Sequence, residues 1–163
     1  MIILGIDPGT HRIGWGVVNQ DKEHIKEVGY GCIDFKPAAG GALGNLSKIY
    51  KAMAEIIQKY RPTTVAVEKI FFFKNSKTVI EVSQARGVIV LATLDQGLEV
   101  KEFTPLQVKQ AVSGYGRAEK RAVQKMVKLI LGLKTEPKPD DAADALAIAI
   151  CAAHTRDYTD LIK

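Results

Sequence analysis

Short runs of apolar residues, each ended by turn-forming residues, mark the predicted β-strands of this chain. The first run, IILGI, leads directly into DPGT, and the later run TTVAV is rich in the β-branched residues that favour a buried strand. By the same criteria we predict five strands, over residues 2–6, 14–19, 25–35, 63–67 and 98–103. The short spacing between the first three strands predicts an antiparallel meander.

Between and after these strands, apolar residues recur at the three- and four-residue spacing of helices. We predict one helix over residues 43–60, which ends before Pro62. A second helix is predicted over residues 78–94, after an irregular stretch at 71–76. Pro105 can open a further helix, and residues 123–131 form an amphipathic one. Asp140 is predicted to cap a final Ala-rich helix that ends near His154.

The resulting order, β-β-β-α-β-α-β-α-α-α, predicts an α/β fold with a mixed five-stranded sheet and helices on both faces. With 163 residues, 47% hydrophobic and 25% charged, the chain has the composition of an ordinary globular domain. We therefore expect a single domain over residues 1–155, followed by a short tail at residues 156–163.

The charge of the chain bears on the class of its partner, and its cysteines bear on the cellular compartment and on metal binding. The net charge is +5, and residues 101–138 alone contain nine basic and three acidic residues. This bias favours a surface that faces phosphate groups, although a solvated helix face produces the same pattern. Cys32 and Cys151 are far apart and lack a CxxC pattern, so we expect reduced thiols, a cytoplasmic protein and no zinc site.

Four carboxylates occupy positions that can converge. Asp7 follows the first predicted strand and Glu68 the fourth, while Asp141 and Asp144 share one face at the start of the last helix. Clustered carboxylates repel one another unless a cation offsets them, and oxygen ligands suit Mg²⁺. Two such ions, about 3.5–4 Å apart, can support in-line phosphoryl transfer. Taken singly, Asp7 is better explained as a turn residue, and Glu68 and Asp141 can be ordinary strand-end and helix-start residues. Asp144 is harder to explain in this way, because it lies one turn into the helix amid Ala, Leu and Ile.

Several segments of the chain resemble one known family. ILGIDPGTHRIGWGVV, VAVEKIFFFKN, SQARGV, QVKQAVSGYGRAEKRAVQKMV and DDAADALAIAICAAH resemble, in this order, segments of the RuvC Holliday junction resolvases, and they span residues 1–154. The resemblance implies a ribonuclease H-like fold, which agrees with the predicted order of strands and helices.

The resemblance also implies an activity and a set of site residues. It implies a metal-dependent endonuclease of DNA recombination and repair that makes two symmetric cuts in a four-way junction, acting as a homodimer beside a branch-migration motor. The catalytic and metal-binding residues would be Asp7, Glu68, Asp141 and Asp144, with two Mg²⁺ ions that Mn²⁺ could replace. Asp140 falls outside the D-x-x-D spacing, and some family members have His at the position of Asp141.

Further residues are candidate DNA contacts. Residues 69–77 interleave three Phe with three Lys, a pattern that favours stacking on bases combined with phosphate contacts. The resemblance selects Phe71 as the ring nearest the junction centre, and Lys109 and Lys120 as basic residues near the active site. Core packing of the rings and ordinary exposed lysines are the alternatives. By the same resemblance, the helix at 78–94 would form the dimer interface.

Three other functions compete with junction cleavage. An RNA-processing nuclease of the same fold would share the first acidic motif, and a non-cutting protein could bind branched DNA without hydrolysing it. The DPGT turn also resembles the phosphate-binding turn of actin-like kinases, but those proteins need a second such domain and a longer chain. An intact set of four acids disfavours the non-cutting protein, because acids oppose DNA binding unless a metal offsets them.

Overall fold

A mixed β-sheet forms the centre of the computed structural model, which describes residues 1–9, 11–22, 24–35, 43–70 and 76–155. Within these residues the sheet has five strands, in the spatial order β3-β2-β1-β4-β5. Their bounds are β1 (Ile2–Asp7), β2 (Arg12–Asp21), β3 (His24–Asp34), β4 (Thr64–Glu68) and β5 (Glu99–Phe103). The predicted loop at 36–41, the stretch at 71–75 and the tail at 156–163 lie outside the described residues.

The strand pairing follows from the lengths of the connections. β1, β2 and β3 are joined by short turns and pair antiparallel, so the predicted meander is confirmed. β4 lies parallel to β1, and β5 lies parallel to β4, as expected for strands that are separated by helices. The ends of β1 and β4 therefore lie at the same edge of the sheet.

Helices cover both faces of the sheet, as predicted. In the described chain they are α1 (Leu43–Tyr60), α2 (Ser76–Asp95), α3 (Pro105–Ser113), α4 (Lys120–Ile130) and α5 (Asp140–His154). α1 and α2 pack on one face around Met53 and Ile89, while α3, α4 and α5 pack on the other around Leu146 and Val127. The fold class predicted from the sequence is thus confirmed.

Several helix boundaries differ from the predictions by a few residues, among them the starts of α2, α4 and α5. Ser76, assigned above to an irregular stretch, is the first residue of α2. Asp140 does not cap α5: the N-cap is Pro139, which has no side chain able to accept a backbone hydrogen bond, and Asp140 is the first helical residue. An acid at this position still interacts favourably with the positive end of the helix dipole, which is why the sequence suggested a cap.

α5 lies between the sheet and the helices α3 and α4, and its residues from Ala145 to Ala153 are all buried. A helix that is apolar on every side is expected in such a position. Within the described residues, no helix of this protein combines the length and the apolar content needed to cross a membrane.

Three glycines allow α5 to approach the sheet closely. A Cβ atom added to Gly5 would lie 2.2 Å from the carbonyl oxygen of Ala145, and one added to Gly14 would lie 2.0 Å from that of Asp141. A Cβ at Gly16 would lie 2.7 Å from the Leu146 side chain. Because Gly5 pairs with Gly16 across β1 and β2, the glycines form a flat patch that receives the helix backbone.

We predict that Gly5→Ala lowers the free energy of unfolding by about 1–3 kcal/mol, because the new methyl group meets helix backbone that cannot move aside. Chemical denaturation measures this change. Gly116→Ala is the matched control, since its Cβ would meet mainly the flexible side chain of Leu106, which is 58% exposed. Equal stability of the two variants would contradict the close-packing argument.

Candidate active site

Asp7 and Glu68 lie side by side at one edge of the sheet. They are the last residues of two parallel neighbours, β1 and β4, whose register pairs Ile6 with Val67 immediately before them. Both side chains are only partly accessible to solvent. The position that the sequence predicted for this pair is therefore the observed one.

The first turn of α5 brings two more acids to the same edge. Gly14 pairs with Asp7 across β1 and β2 and lies directly beneath the backbone of Asp141. Asp144 follows one turn later, so that both aspartates lie close enough to Asp7 for their charges to act on it. The packing of α5 on the glycine patch thus sets the position of these two acids.

Burial and mutual repulsion disfavour the charged forms of three of these acids. Burial, followed by the charges of Asp144, Glu68 and Asp141, raises the pKa of Asp7 from 3.8 to about 8. Burial and the charge of Asp144 likewise raise the pKa of Glu68. Burial also raises the pKa of Asp144, although Lys120 opposes the shift. The cluster therefore needs positive charge to be fully ionised at neutral pH.

Two lysines supply part of that charge. A cavity of about 210 Å³ opens beside the acids and is lined by Asp7, Glu68, Pro105, Val108, Lys109, Lys120, Val123, Asp144 and Ala147. Lys120, at the start of α4, donates a hydrogen bond of 2.7 Å from Nζ to Oδ2 of Asp144. The charge of Lys109, on α3, lowers the pKa of Glu68 against the larger effect of burial. Both lysines predicted from the sequence thus lie at the acidic cavity.

Asp141 does not line this cavity, although its charge acts on Asp7 and Asp144. Its Oδ2 lies 3.7 Å from Nη1 of Arg12, whose Nε donates a hydrogen bond to Oδ1 of Asp34. Sequence reasoning did not identify Arg12. Arg12 lies opposite Asp34 in the antiparallel pair of β2 and β3, so this partnership follows from the strand register, which the sequence does not show.

The donor set fits a hard divalent cation. Carboxylate oxygens are the ligands that Mg²⁺ prefers, and a cation would offset both the burial and the repulsion that raise the pKa of Asp7. In the described parts of the chain, no three His, Cys, Asp or Glu side chains are yet arranged closely enough to enclose an ion. The charged Nζ of Lys120 is hydrogen-bonded to Asp144 and lies at a position that would also attract a metal ion.

Phe71, the predicted aromatic DNA contact, lies outside the described residues. The chain leaves β4 at Lys69, whose backbone N–H donates a 2.8 Å hydrogen bond to the carbonyl oxygen of Phe103. Lys69 is exposed. The described chain beyond β4 ends at Ile70, two residues after Glu68.

Known proteins resemble this chain over nearly its whole length. A family model for the crossover junction endodeoxyribonuclease RuvC matches residues 3–152. The chain belongs to the RuvC family. RuvC from Rubrobacter xylanophilus is 53% identical over 152 residues, which cover 93% of this chain and 84% of that protein. RuvC from Alkaliphilus oremlandii is 49% identical over 163 residues, covering 100% of this chain and 99% of its relative.

Solved structures of RuvC also match the fold. Thermus thermophilus RuvC superposes with a TM-score of 0.84 at 36% identity, covering 94% of this chain and 93% of that one. The same score, at 34% identity and the same coverage, is found for T. thermophilus RuvC in complex with Holliday junction substrate. Yeast mitochondrial resolvase Ydc2 shares the fold alone, with a TM-score of 0.69 at 13% identity over 93% of this chain and 77% of that one. The ribonuclease H-like fold and the family resemblance are both confirmed.

The raised pKa of Asp7 predicts a pH-dependent stability in chelator. Between about pH 4 and pH 8 the folded protein retains a proton on Asp7 that the unfolded chain releases, so stability falls as the pH rises through this window. Thermal melts should show this fall in the wild type and a weaker one in Asp7→Asn. The Asp21→Asn variant, altered at the opposite end of the sheet, should behave as the wild type does. The same dependence of melting temperature on pH in all three proteins would contradict a raised pKa of Asp7.

Proposed function

We propose that this protein resolves four-way DNA junctions by metal-dependent hydrolysis of phosphodiester bonds, with two symmetric cuts made by a homodimer. The observation that carries the proposal is the group of four acids at one sheet edge, within a chain that belongs to the RuvC family. A solved structure contains the T. thermophilus relative in complex with Holliday junction substrate, which supports the same substrate here. A branch-migration motor as partner and a cytoplasmic location belong to the same proposal.

Asp7, Glu68, Asp141 and Asp144 would hold two Mg²⁺ ions, or Mn²⁺ in their place. Bound metal would supply an activated water and stabilise the leaving oxygen. By holding the metal ions at the edge of the sheet, the carboxylates would determine where the scissile phosphate binds. In the hydrolysis, the water oxygen forms a bond to phosphorus and the P–O3′ bond breaks. The products are a 5′-phosphate and a 3′-hydroxyl, so the nick can be ligated.

Lys120 and Lys109 face the reacting phosphate in this proposal. Both line the acidic cavity, and Lys120 can exchange its bond to Asp144 for a phosphate oxygen once other cations offset the acids. α4 carries three further basic residues, Arg121, Lys125 and Lys128, which would add to the positive charge that a DNA backbone requires. Phe71 would stack on a base near the junction centre.

A second copy of the chain would pack against α2. Three apolar side chains of this helix are strongly exposed on one stripe: Ile80, Leu91 and Leu94, at 67%, 53% and 57%. Gly87 lies on the same stripe, and a Cβ added there would meet nothing within 4 Å. A helical glycine destabilises a chain by about 1 kcal/mol relative to alanine. Because packing within the described chain does not require this glycine, it supports close approach by another helix.

The rival functions remain testable outcomes. An RNA-processing nuclease of the same fold would use the same acids, so substrate choice alone separates it from a junction resolvase. A non-cutting junction-binding protein is disfavoured by the physics of the site. Four acids at a DNA surface repel phosphate, and burial together with the charges of the other acids already raises the pKa of Asp7.

We predict that Asp144→Asn abolishes cleavage of a labelled synthetic four-way junction and leaves junction binding within about twofold of wild type. The substitution removes a proposed metal ligand but also one repulsive charge, so binding is not weakened. The assay runs beside linear duplex and an RNA–DNA hybrid, with Mg²⁺ and with chelator. Asp95→Asn, at the exposed end of α2, is the matched control.

Three results of this assay would decide against the proposal. Loss of binding in folded Asp144→Asn would refute its role as a metal ligand. Wild-type binding without cuts would favour the non-cutting protein. Cleavage of RNA in preference to the junction would favour the RNA-processing nuclease. Paired, metal-dependent cuts on opposing strands of the junction support the resolvase and its dimer.

We predict that Leu91→Lys converts the dimer to a monomer, because it places a charge in the centre of the proposed interface. Light scattering coupled to gel filtration measures the mass. Leu129→Lys, at a leucine of α4 that is 69% exposed, should leave the mass unchanged. A wild-type monomer, or a dimer that persists in Leu91→Lys and in Gly87→Leu, would exclude this face of α2.

A further inference from the structure

The motif SQARGV, on α2, has no role in the proposed chemistry, yet it contains an unusual residue. The side chain of Arg86 is only 22% exposed, although α2 faces solvent along part of its length. A guanidinium group that is largely removed from water needs hydrogen-bond acceptors to offset its lost hydration. Its partners therefore indicate what this arginine does.

Arg86 contacts two groups on the neighbouring strands. Its Nε donates a hydrogen bond of 3.4 Å to the backbone carbonyl oxygen of Glu68, and its Nη2 forms an ion pair with the carboxylate of Glu102 on β5. Glu102 lies opposite Val67, one pair before Glu68 and Phe103. The guanidinium thus joins α2 to the ends of β4 and β5.

The contact with Glu68 acts on the backbone instead of the carboxylate. Glu68 is the last residue of β4, and its carbonyl belongs to the peptide bond by which the chain leaves the sheet. The charge of Arg86 is paired with Glu102, while the charges that oppose the raised pKa of Glu68 are those of Lys109 and Lys120. Arg86 therefore restrains the backbone from which the Glu68 side chain extends, whereas Lys109 and Lys120 act on the charge of its carboxylate.

We propose that Arg86 is a positioning residue, which holds the backbone of Glu68 so that its carboxylate points to the metal-binding edge of the sheet. This inference rests on the proposed function, since it takes Glu68 as a metal ligand. The next residue along α2 is Gly87, on the stripe assigned to the second copy. One helix then both meets the partner and fixes an acid of the active site.

A double-mutant cycle tests the proposal on the free, full-length protein. Mn²⁺ binding is measured by isothermal titration calorimetry for wild type, Arg86→Gln, Glu68→Gln and the double variant. Arg86→Gln should weaken Mn²⁺ binding about tenfold, as loss of a residue that orients a ligand does. In the Glu68→Gln background the same change should have less than about a twofold effect, because Arg86 acts through Glu68.

Three further variants separate positioning from folding. Arg86→Lys should recover part of the Mn²⁺ affinity, because an ammonium group can reach one of the two acceptors. Glu102→Gln should weaken Mn²⁺ binding less than Arg86→Gln does, because it leaves the bond to Glu68 in place. Arg61→Gln, at an exposed arginine beyond the end of α1, is the charge-matched control and should bind Mn²⁺ as wild type does. Melting temperatures are recorded for every variant.

The possible outcomes are distinct. Unchanged Mn²⁺ binding in folded Arg86→Gln, or equal losses with and without Glu68, would overturn the positioning role even if the wild type cuts junctions. A lower melting temperature with unchanged Mn²⁺ binding would make Arg86 a structural residue only. Failure of the wild type to cut junctions, with the Mn²⁺ cycle as expected, would refute the proposed function and leave the positioning role intact.

Discussion

The close contact between α5 and the glycine patch of β1 and β2 is the constraint on which the rest of the structure depends. A side chain at Gly5 or Gly14 would meet helix backbone, so the helix could no longer lie where it does. Asp141 and Asp144 occupy the start of that helix and would move away from Asp7 and Glu68. The Ala-rich sequence of α5 has the same origin, since small side chains allow a helix buried on all sides to pack closely.

That packing brings together charges that repel one another. Burial and its acidic neighbours raise the pKa of Asp7 to about 8, so the folded protein carries an electrostatic strain in the absence of a cation. Lys120 relieves part of it through Asp144. The buried acids therefore lower the stability of the fold in the absence of a cation, and the apolar contacts of α5 must offset this loss.

The sequence was sufficient to predict those features that depend on one strand or helix at a time. Asp7 and Glu68 could be placed because strand ends are visible in the hydrophobic pattern, and parallel neighbours end at the same edge. Arg12 and Arg86 could not, because their partners are set by strand register and by helix packing across the sheet. The start of α5 was misjudged for a local reason: an acid in the first turn and an acid at the N-cap look alike in sequence.

The acidic edge is held from both faces of the sheet. On one face, α3 and α4 carry Lys109 and Lys120 to the cavity, and α5 carries Asp141 and Asp144 to the edge of the sheet. On the other face, α2 contacts the same edge through Arg86, whose long side chain extends to the backbone of Glu68. In the proposed dimer, a second copy packed against α2 would therefore act on this strand end through the same arginine. The proposed dimer contact and the proposed metal site would then share one helix.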